Sequence, residues 1–206
     1  MRTTRYRRAR ALAPGRGVLV AGIIAATALV PAPGYAQDPF GDHSLGSRDL
    51  RAGDRGPDVK TLNWVLRSQA LSTAYHGVFD GQTDWAVRTV QGGSGLPADG
   101  IVRRDTRKVI ATRMLNQRAT WYGPGFYGNR TGCGVKLTKR TVGVAHRRLP
   151  CGTRVAFAHR GRWVRARVID RGPYRKGFKW DLTRRLAKRL GVIKAGSPIV
   201  KAGVAP

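Results

Sequence analysis

The sequence VRARVIDRGPYRKGFKWDLT, residues 164–183, contains the only two carboxylates between residues 119 and 206. They are Asp170 and Asp181, and the same 88 residues carry 21 lysines and arginines. Each aspartate stands in a patterned context, the first in DRGP and the second in WDLT. These two acids in a strongly basic field are therefore the first candidates for a functional site.

The segment begins with an alternation of apolar and basic residues that is typical of a half-buried strand with its arginines outward. The apolar positions are Val164, Ala166 and Val168, and the basic ones are Arg165 and Arg167. Asp170-Arg171-Gly172-Pro173 then predicts a tight turn, because Gly tolerates positive φ and Pro restricts φ to about −65°. This turn places Asp170 at the rim of a sheet.

The residues WDLT, 180–183, precede the helical pattern RRLAKRLG. Either Asp181 or Thr183 is a suitable N-cap residue for that helix, because both side chains accept hydrogen bonds from free backbone N–H groups. The segment as a whole therefore predicts a strand, a turn at the rim and a capped helix.

Residues 1–36 have the pattern of a secretory signal. They contain six arginines and no acid, followed by an apolar run at 17–30 and the small-x-small sequence Gly34-Tyr35-Ala36. The run is shorter than the roughly 20 apolar residues that span a bilayer. A signal peptide is expected, with no retained membrane span, and a retained anchor is the alternative.

The remaining 170 residues have 33 basic residues against 11 aspartates, no glutamate and a net charge of +22. Such a charge indicates an anionic partner. Nucleic acid would be the first candidate in a cytoplasmic protein. Export makes nucleic acid unlikely and favours the cell envelope, whose peptide carboxylates and phosphate polymers are anionic.

Residues 37–48 are rich in turn formers and predict a linker. Three helical patterns follow within residues 49–115. The first has the apolar stripe Val59, Leu62, Val65 and Leu66. The second covers residues 83–91, with Trp85, Val87 and Val90 inward, and the third covers residues 105–115.

This half of the chain resembles the bacterial peptidoglycan-binding module of type 1, a three-helix unit. The matching phrases are LRAGDRGPDV at 50–59, GVFD at 77–80, AVR at 86–88 with Gln91, and GLPADGIV at 95–102. The resemblance implies that residues 49–115 bind the glycan or the stem peptide of peptidoglycan.

Residues 119–206 contain short β patterns and one late helix, which together suggest a small barrel. The predicted strands are 142–145, 153–158, 163–169 and 198–204, and the predicted helix is 183–190. The fold class expected for the whole chain is therefore a small helical domain followed by a β-barrel.

The second half resembles the double-psi β-barrel of the rare lipoprotein A (RlpA) family, which is related to expansins. The matching phrases are WYG at 121–123, Gly128 with Thr131, AHR at 145–147 with LP at 149–150, GTRV at 152–155, DRGP at 170–173 and DLT at 181–183. The resemblance implies a six-stranded barrel and a lytic transglycosylase that cleaves peptidoglycan glycan strands.

Cys133 and Cys151 are the only cysteines. In an exported chain an isolated pair predicts a disulfide. Zinc is the alternative, with His146 nearby, but two cysteines without a C-x-x-C pair and one histidine form a poor ligand set. No metal or other cofactor is expected.

The predicted catalytic residues are Asp170, His146 and Asp181. Asp170 is expected to donate and accept the proton, with His146 assisting and Asp181 supporting as a helix cap. Two alternatives remain open: expansin-type barrels place an important aspartate in a phrase like that of Asp181, and His146 is equally suited to a structural role beside the turn at 149–150. The predicted substrate-binding residues are Trp121, Tyr122, Arg171, Tyr174 and Trp180.

Two observations leave a non-catalytic function open. The basic barrel stabilises carboxylate anions, which opposes a protonated acid near neutral pH unless burial against Trp180 or Tyr174 outweighs it. Many RlpA relatives also carry a Glu and an Asp just ahead of the histidine, where this chain has Val135 and Thr138. The alternative is an expansin-like protein that binds or loosens the wall.

Overall fold

The computed structural model describes residues 45, 46 and 48–206. The predicted signal peptide and most of the predicted linker lie outside the described residues. Leu45, at the end of that linker, is fully buried in the core of the helical module. Among the described residues no helix is long and apolar enough to cross a membrane.

Three helices form the first module: α1 Pro57–Arg67, α2 Gly81–Gly92 and α3 Arg104–Thr112. Pro57 is the first residue of α1, where a backbone N–H would have no partner within the helix, so the N–H that proline lacks is not missed. The side chain of Asp80 caps α2 by accepting a hydrogen bond from Thr83 N at 2.9 Å. The predicted stripe of α1 is fully buried, so this part of the prediction is confirmed.

The prediction that Trp85 faces inward is wrong, because 58% of this residue is exposed. Trp85 lies two positions before Val87, about 200° around the helix. The buried stripe of α2 is spaced instead at three, one and three residues. It consists of Thr83, Ala86, Val87 and Val90.

Six strands close into a barrel in the order β1-β5-β2-β4-β3-β6. The strands are β1 Leu115–Tyr122, β2 Val144–Ala145, β3 Arg154–His159, β4 Arg162–Asp170, β5 Trp180–Thr183 and β6 Ile199–Ala205, with helix α4 Arg184–Leu190 between the last two. The six-stranded barrel after a helical module confirms the predicted fold class.

Two segments differ from their predicted structure. The predicted third helix ends at Thr112, and Leu115 starts the first barrel strand, which pairs with both β5 and β6. Residues 180–183 form strand β5, where the sequence predicts only the approach to a helix. Both segments are short runs whose pairing partners lie far away in the chain, so local pattern does not identify them.

Arg165 is predicted to point into solvent, and this is wrong, because only 3% of it is exposed. Helix α1 packs over the outer face of β3, β4 and β6 and covers the side chain. The Arg165 Nε donates to Thr61 Oγ1 at 3.0 Å, and its guanidinium lies 5.3 Å from the ring centre of Trp64. Burial lowers the pKa of Arg165 to about 10.

The helical module and the barrel share one core. Outward-facing barrel residues join the buried cluster of the helices, namely Ala156, Ala158, Trp163 and Ala205. Arg154 adds a second cation at this interface, 4.0 Å from the ring centre of Tyr75. The interface therefore combines apolar barrel residues with two arginines stacked on aromatic rings.

Gly203 permits the close approach of β6 to the end of α1. A Cβ at this position would lie 2.2 Å from Ser68 Oγ and 2.7 Å from Ser68 Cβ. No real Cβ tolerates those distances, so any larger residue must push the two modules apart.

We expect Gly203→Ala to reduce the free energy of unfolding by about 1–3 kcal/mol, the usual effect of overpacking. Thermal and urea denaturation would measure this. The matched control is Gly92→Ala, at the end of α2, where an added Cβ meets no atom within 4 Å. This control should stabilise the protein by about 0.5–1 kcal/mol.

Adding Ser68→Gly to Gly203→Ala should restore part of the lost stability, because it removes both clashing atoms. If Gly203→Ala is as stable as the wild type, the close contact between the modules is incorrect.

Candidate functional site

The two aspartates are brought together by the shortest strand of the barrel. Ala145 in β2 pairs with Asp170 in β4 on one side and with Asp181 in β5 on the other. Paired residues of neighbouring strands share one face of the sheet. The two carboxylates therefore flank the small side chain of Ala145, with backbones up to roughly 10 Å apart.

A pocket of about 180 Å³ opens at this face. Both aspartates and Ala145 line it, so the structure brings together the two candidate acids. The other lining residues come from the loop after β1 and from neighbouring strands: Tyr122, Phe126, Asn129, Arg130, Thr131, Leu137 and Arg171. The carboxylates are therefore open to a ligand that approaches the rim of the barrel.

Backbone N–H groups fix the carboxylate of Asp170. Its Oδ1 accepts hydrogen bonds from Gly132 N and Arg171 N, both at 2.8 Å. The absence of a side chain at Gly132 permits this approach, because a Cβ there would lie 3.2 Å from the same oxygen. Asp170 is at the end of β4, as the sequence predicts.

Asp181 has a different environment. It is partly buried, and its buried Oδ1 has no hydrogen-bond partner among the described residues. Burial, followed by the negative charge of Asp170, raises the pKa of Asp181 to about 6. A carboxyl group with this pKa can carry a proton near neutral pH.

The prediction that Asp181 supports the structure as a helix cap is wrong. Asp181 lies within β5, and the hydroxyl of Thr183 caps α4 by accepting a hydrogen bond from Leu186 N. Thr183 is the second N-cap residue that the sequence predicts for this helix. Asp181 is consequently free of a capping role.

Two aromatic residues form a wall beside the carboxylates. The phenol oxygen of Tyr122 is buried, and burial together with the charges of Asp170 and Asp181 raises its pKa. Tyr122 therefore stays neutral. Phe126 packs edge-on against it at 6.3 Å, and 55% of Phe126 remains exposed.

His146 lies on the opposite side of the sheet from the aspartates. Its ring packs against Trp180 at 4.7 Å, and its Nδ1 accepts hydrogen bonds from Arg148 N at 3.2 Å and Leu149 N at 2.9 Å. Burial, then the charges of Lys179, Arg147 and Arg171, lower the pKa of His146. The neutral ring therefore stabilises the turn at 149–150. This contact agrees with the alternative prediction, in which His146 has a structural role beside that turn.

The predicted binding residues divide into three groups. Tyr122 and Arg171 line the pocket, and Arg171 also donates to Leu149 O at 3.0 Å. Trp180 is 1% exposed and donates its indole N–H to Gln117, so it is a core residue and its predicted contact with substrate is wrong. Trp121 packs against the barrel core. Tyr174 is 83% exposed outside the pocket.

Sequence reasoning missed most residues of the loop that covers the pocket. Phe126, Asn129, Arg130 and Leu137 line it without any motif that marks them as functional. The predicted disulfide between Cys133 and Cys151 is present and joins this loop to the turn after residue 150. An exposed aromatic within a glycine-rich segment is the one signal that points to Phe126.

The two positions that lack the family acids do not line the pocket. Val135 is buried, and the hydroxyl of Thr138 bonds to that of Thr141 at 2.9 Å. Among the described residues no group of three or more histidines, cysteines or acids is placed to hold a metal ion. The acids that line this pocket are Asp170 and Asp181.

Comparison with known families agrees with the fold. Residues 55–110 match the family described as putative peptidoglycan binding domain, and residues 115–205 match the double-psi barrel family described as lytic transglycolase. The chain therefore joins a peptidoglycan-binding module to an RlpA-like double-psi β-barrel.

The particular relatives carry the RlpA name. The chain is 37% identical over 143 residues to the probable endolytic peptidoglycan transglycosylase RlpA of Synechocystis sp., covering 65% of this chain and 44% of that protein. It is 42% identical over 86 residues to the Aquifex aeolicus protein described in the same way, covering 41% and 38%. The chain thus spans less than half the length of these relatives.

Solved structures give weaker similarities. The SleB N-terminal domain is 28% identical with a TM-score of 0.32, covering 34% of this chain and 96% of that one. The expansin of Clavibacter michiganensis is 22% identical with a TM-score of 0.39, covering 45% and 50%. Neither similarity is close enough to bear on function.

We expect Asp181→Asn to stabilise the protein at pH 7.5 and to have little effect at pH 4. The pKa of Asp181 is about 6 in the folded state and about 4 in an unfolded chain. The folded state therefore binds more protons between these values, and stability falls as pH rises from about 4 to about 6. Asparagine does not titrate and avoids that loss.

Melting temperatures measured from pH 4 to 8 would show the difference. Asp181→Glu keeps a titrating carboxyl and should retain a wild-type pH dependence. A melting temperature for Asp181→Asn below that of the wild type at pH 7.5 would contradict the assignment.

Proposed function

We propose that this protein is an exported lytic transglycosylase that binds peptidoglycan and cleaves its glycan strands at the pocket between Asp170 and Asp181. The observation that carries the proposal is the partly buried Asp181 carboxyl, whose pKa is raised to about 6 beside a second carboxylate. The match of residues 115–205 to the lytic transglycolase family supports the same reaction.

In the first step, the protonated carboxyl of Asp181 donates its proton to the oxygen of the glycosidic bond. The bond between that oxygen and the sugar C1 then breaks, and the leaving sugar departs as an alcohol. A group with a pKa near the working pH is best suited to this transfer. Asp181 meets this condition.

In the second step, the 6-hydroxyl of the muramic acid residue attacks C1 and its proton passes to the Asp181 carboxylate. The product is a 1,6-anhydro sugar, and the enzyme returns to its starting protonation state. One carboxyl therefore serves as both acid and base, and no external water is consumed. This requirement fits a pocket that is lined by two carboxyl groups, Asp170 and Asp181.

We assign Asp170 an electrostatic role. Two backbone N–H groups hold its carboxylate, and its negative charge contributes to the raised pKa of Asp181. The same charge favours the positive charge that develops at C1 as the bond breaks. We assign His146 to the positioning of the turn after β2, because both described hydrogen bonds of its ring are accepted from backbone N–H groups of that turn.

We propose that the glycan rests on the aromatic wall of Tyr122 and Phe126. Arg171 and Arg130 line the same pocket and suit the carboxylate of a muramic acid substituent. Tyr174, exposed beside the DRGP turn, and Trp121 are further binding candidates outside the pocket.

The helical module supports peptidoglycan as the partner through its match to a peptidoglycan-binding family. RlpA-type enzymes act on the cell wall outside the cytoplasm, which agrees with the export expected from residues 1–36. The basic barrel is suited to anionic wall polymers as well.

Expansin-like loosening of the wall without cleavage is the second candidate function. The observation that favours it is the absence of the family acids at Val135 and Thr138. The open pocket at the two aspartates favours cleavage over this alternative.

We expect the purified protein to release anhydro-muropeptides from peptidoglycan, detected by mass analysis of the soluble products. Release should decline as pH rises above about 6, because Asp181 loses its proton. Asp181→Asn should reduce release at least 100-fold, the usual order for a general acid. A wild-type protein that binds sacculi without any anhydro product would favour the expansin-like function.

We expect Asp170→Asn to retain measurable activity and to shift the alkaline limb of the pH profile to lower pH. Removal of the Asp170 charge lowers the pKa of Asp181, since that charge contributes to its elevation. Complete loss of activity in Asp170→Asn, with a near-normal rate for Asp181→Asn, would reverse the two assignments.

A further inference from the structure

A second cavity of the barrel lies beside His146. It has a volume of about 170 Å³ and is lined by His146, Arg147, Arg148, Phe178 and Lys179. It shares no lining residue with the pocket at the two aspartates. We call it the basic cavity, because basic side chains line it and no acid does.

The imidazole of His146 offers this cavity a hydrogen-bond donor. Its Nδ1 accepts hydrogen bonds from the backbone N–H groups of Arg148 and Leu149, so the ring proton is on Nε2. Among the described residues this Nε2–H has no acceptor. His146 is only 5% exposed and yet lines the cavity, so a ligand bound there supplies the acceptor that the protein lacks.

The direction of this donor is fixed before any ligand binds. The two backbone hydrogen bonds hold one edge of the ring, and Trp180 packs against the ring at 4.7 Å between centroids. A group that is already ordered loses little conformational entropy when it binds. The basic cavity therefore has one rigid, nearly buried donor.

The cations of the cavity have no acidic partner. Arg148 lies in the turn after β2, and Lys179 is the residue before β5. Neither side chain has a hydrogen bond or an ion pair within the described part of the chain. The only acids of residues 119–206 are Asp170 and Asp181, which line the other pocket. The positive charge of the basic cavity is therefore available to an external anion.

Arg147 fixes the wall of the cavity. Its guanidinium donates to the backbone oxygens of Pro173, of Arg175 at 2.9 Å and of Phe178 at 3.2 Å. These bonds tie the loop at 173–178 to the turn after β2. The two segments that carry Arg148 and Lys179 are thus held at a set distance, although neither cation takes part in the bonds.

The charges around the imidazole all have the same sign. Burial, followed by the positive charges of Lys179, Arg147 and Arg171, lowers the pKa of His146. The ring is consequently a neutral donor in a positive environment, and an anion is the acceptor that such an environment favours.

The size and the donors of the cavity indicate which anion fits. Sites for drug-sized ligands have volumes of about 300–1,000 Å³, so this smaller cavity suits a single charged group. Its donors come from two separate segments of the chain. A phosphate group offers three acceptor oxygens to separated donors, whereas a carboxylate offers two in one plane. Arginine and lysine also bind phosphate well.

We infer that the basic cavity binds a phosphate group, with the Nε2–H of His146 and the side chains of Arg148 and Lys179 as donors. The inference goes beyond the proposed function, since it requires no cleavage at the aspartate pocket. His146 then contacts the turn through one ring nitrogen and the ligand through the other.

The test titrates inorganic phosphate into the purified protein, labelled with 15N-histidine, at an ionic strength held constant with chloride. The chain has four histidines, and their ring signals are followed by NMR. We expect a saturable shift of the Nε2 signal of His146, larger than that of the other three. Phosphate binding that leaves the His146 signal unchanged would overturn the inference.

The protein variant is Arg148→Gln with Lys179→Gln, which should weaken phosphate binding at least tenfold. Both side chains are exposed, so the melting temperature should stay at the wild-type value. The matched control is Lys139→Gln with Arg140→Gln, an equal loss of charge at exposed residues outside the cavity. This control should change the affinity less than twofold. An equal loss in both variants would mean that net charge alone attracts phosphate, and the assigned site would be wrong.

Three further ligands define the chemistry. Acetate should bind at least tenfold more weakly than phosphate, and equal affinity would refute the assignment to phosphate. Glycerol 3-phosphate represents a terminal phosphomonoester, and diethyl phosphate represents a phosphodiester. Binding of the first alone would assign the cavity to terminal phosphates, and binding of both would extend it to phosphodiester chains. Failure of both to shift the His146 signal would limit the cavity to the free ion and contradict the inference.

Discussion

The site depends on a strand of two residues. Val144 and Ala145 pair with β4 on one side and β5 on the other, and without this pairing the barrel does not close. Thr183 stabilises the same point, since its backbone N–H donates to Gly143 O at 3.0 Å and its hydroxyl accepts from Gly143 N at 3.2 Å. One short ladder therefore sets the barrel and the spacing of the two aspartates.

The electrostatics of the pocket follow from this geometry. The barrel contains about ten times more basic residues than acids, which by itself would keep every carboxyl ionised. The cations are mostly at the solvated surface, where water screens them. Burial disfavours the charged form of Asp181, and the negative charge of Asp170, across Ala145, does the same. These two local effects raise the pKa of Asp181 despite the positive net charge of the barrel.

The two modules act as parts of one folded unit. Arg165 and Arg154 stack on the aromatic rings of α1 and of the loop after it, and small residues on the outer barrel face complete the helical core. A surface that a lone barrel would leave to solvent is thereby buried.

The sequence by itself determined the elements with strong local signals. The stripe of α1, the strand pattern before Asp170, the disulfide pair and both domain resemblances are all readable from residue spacing and phrases. Contacts between distant segments decided the rest. Strand β5 is four residues long and has no local pattern, Arg165 is buried only because α1 covers it, and Trp85 is exposed because its neighbours supply the core stripe.

The assignment of roles was decided in the same way, since the pKa of Asp181 and the isolation of His146 from the pocket depend on which face of the sheet each side chain occupies. Alternation along a strand fixes that the faces differ, but only the closed barrel determines which face is the core and which is the pocket.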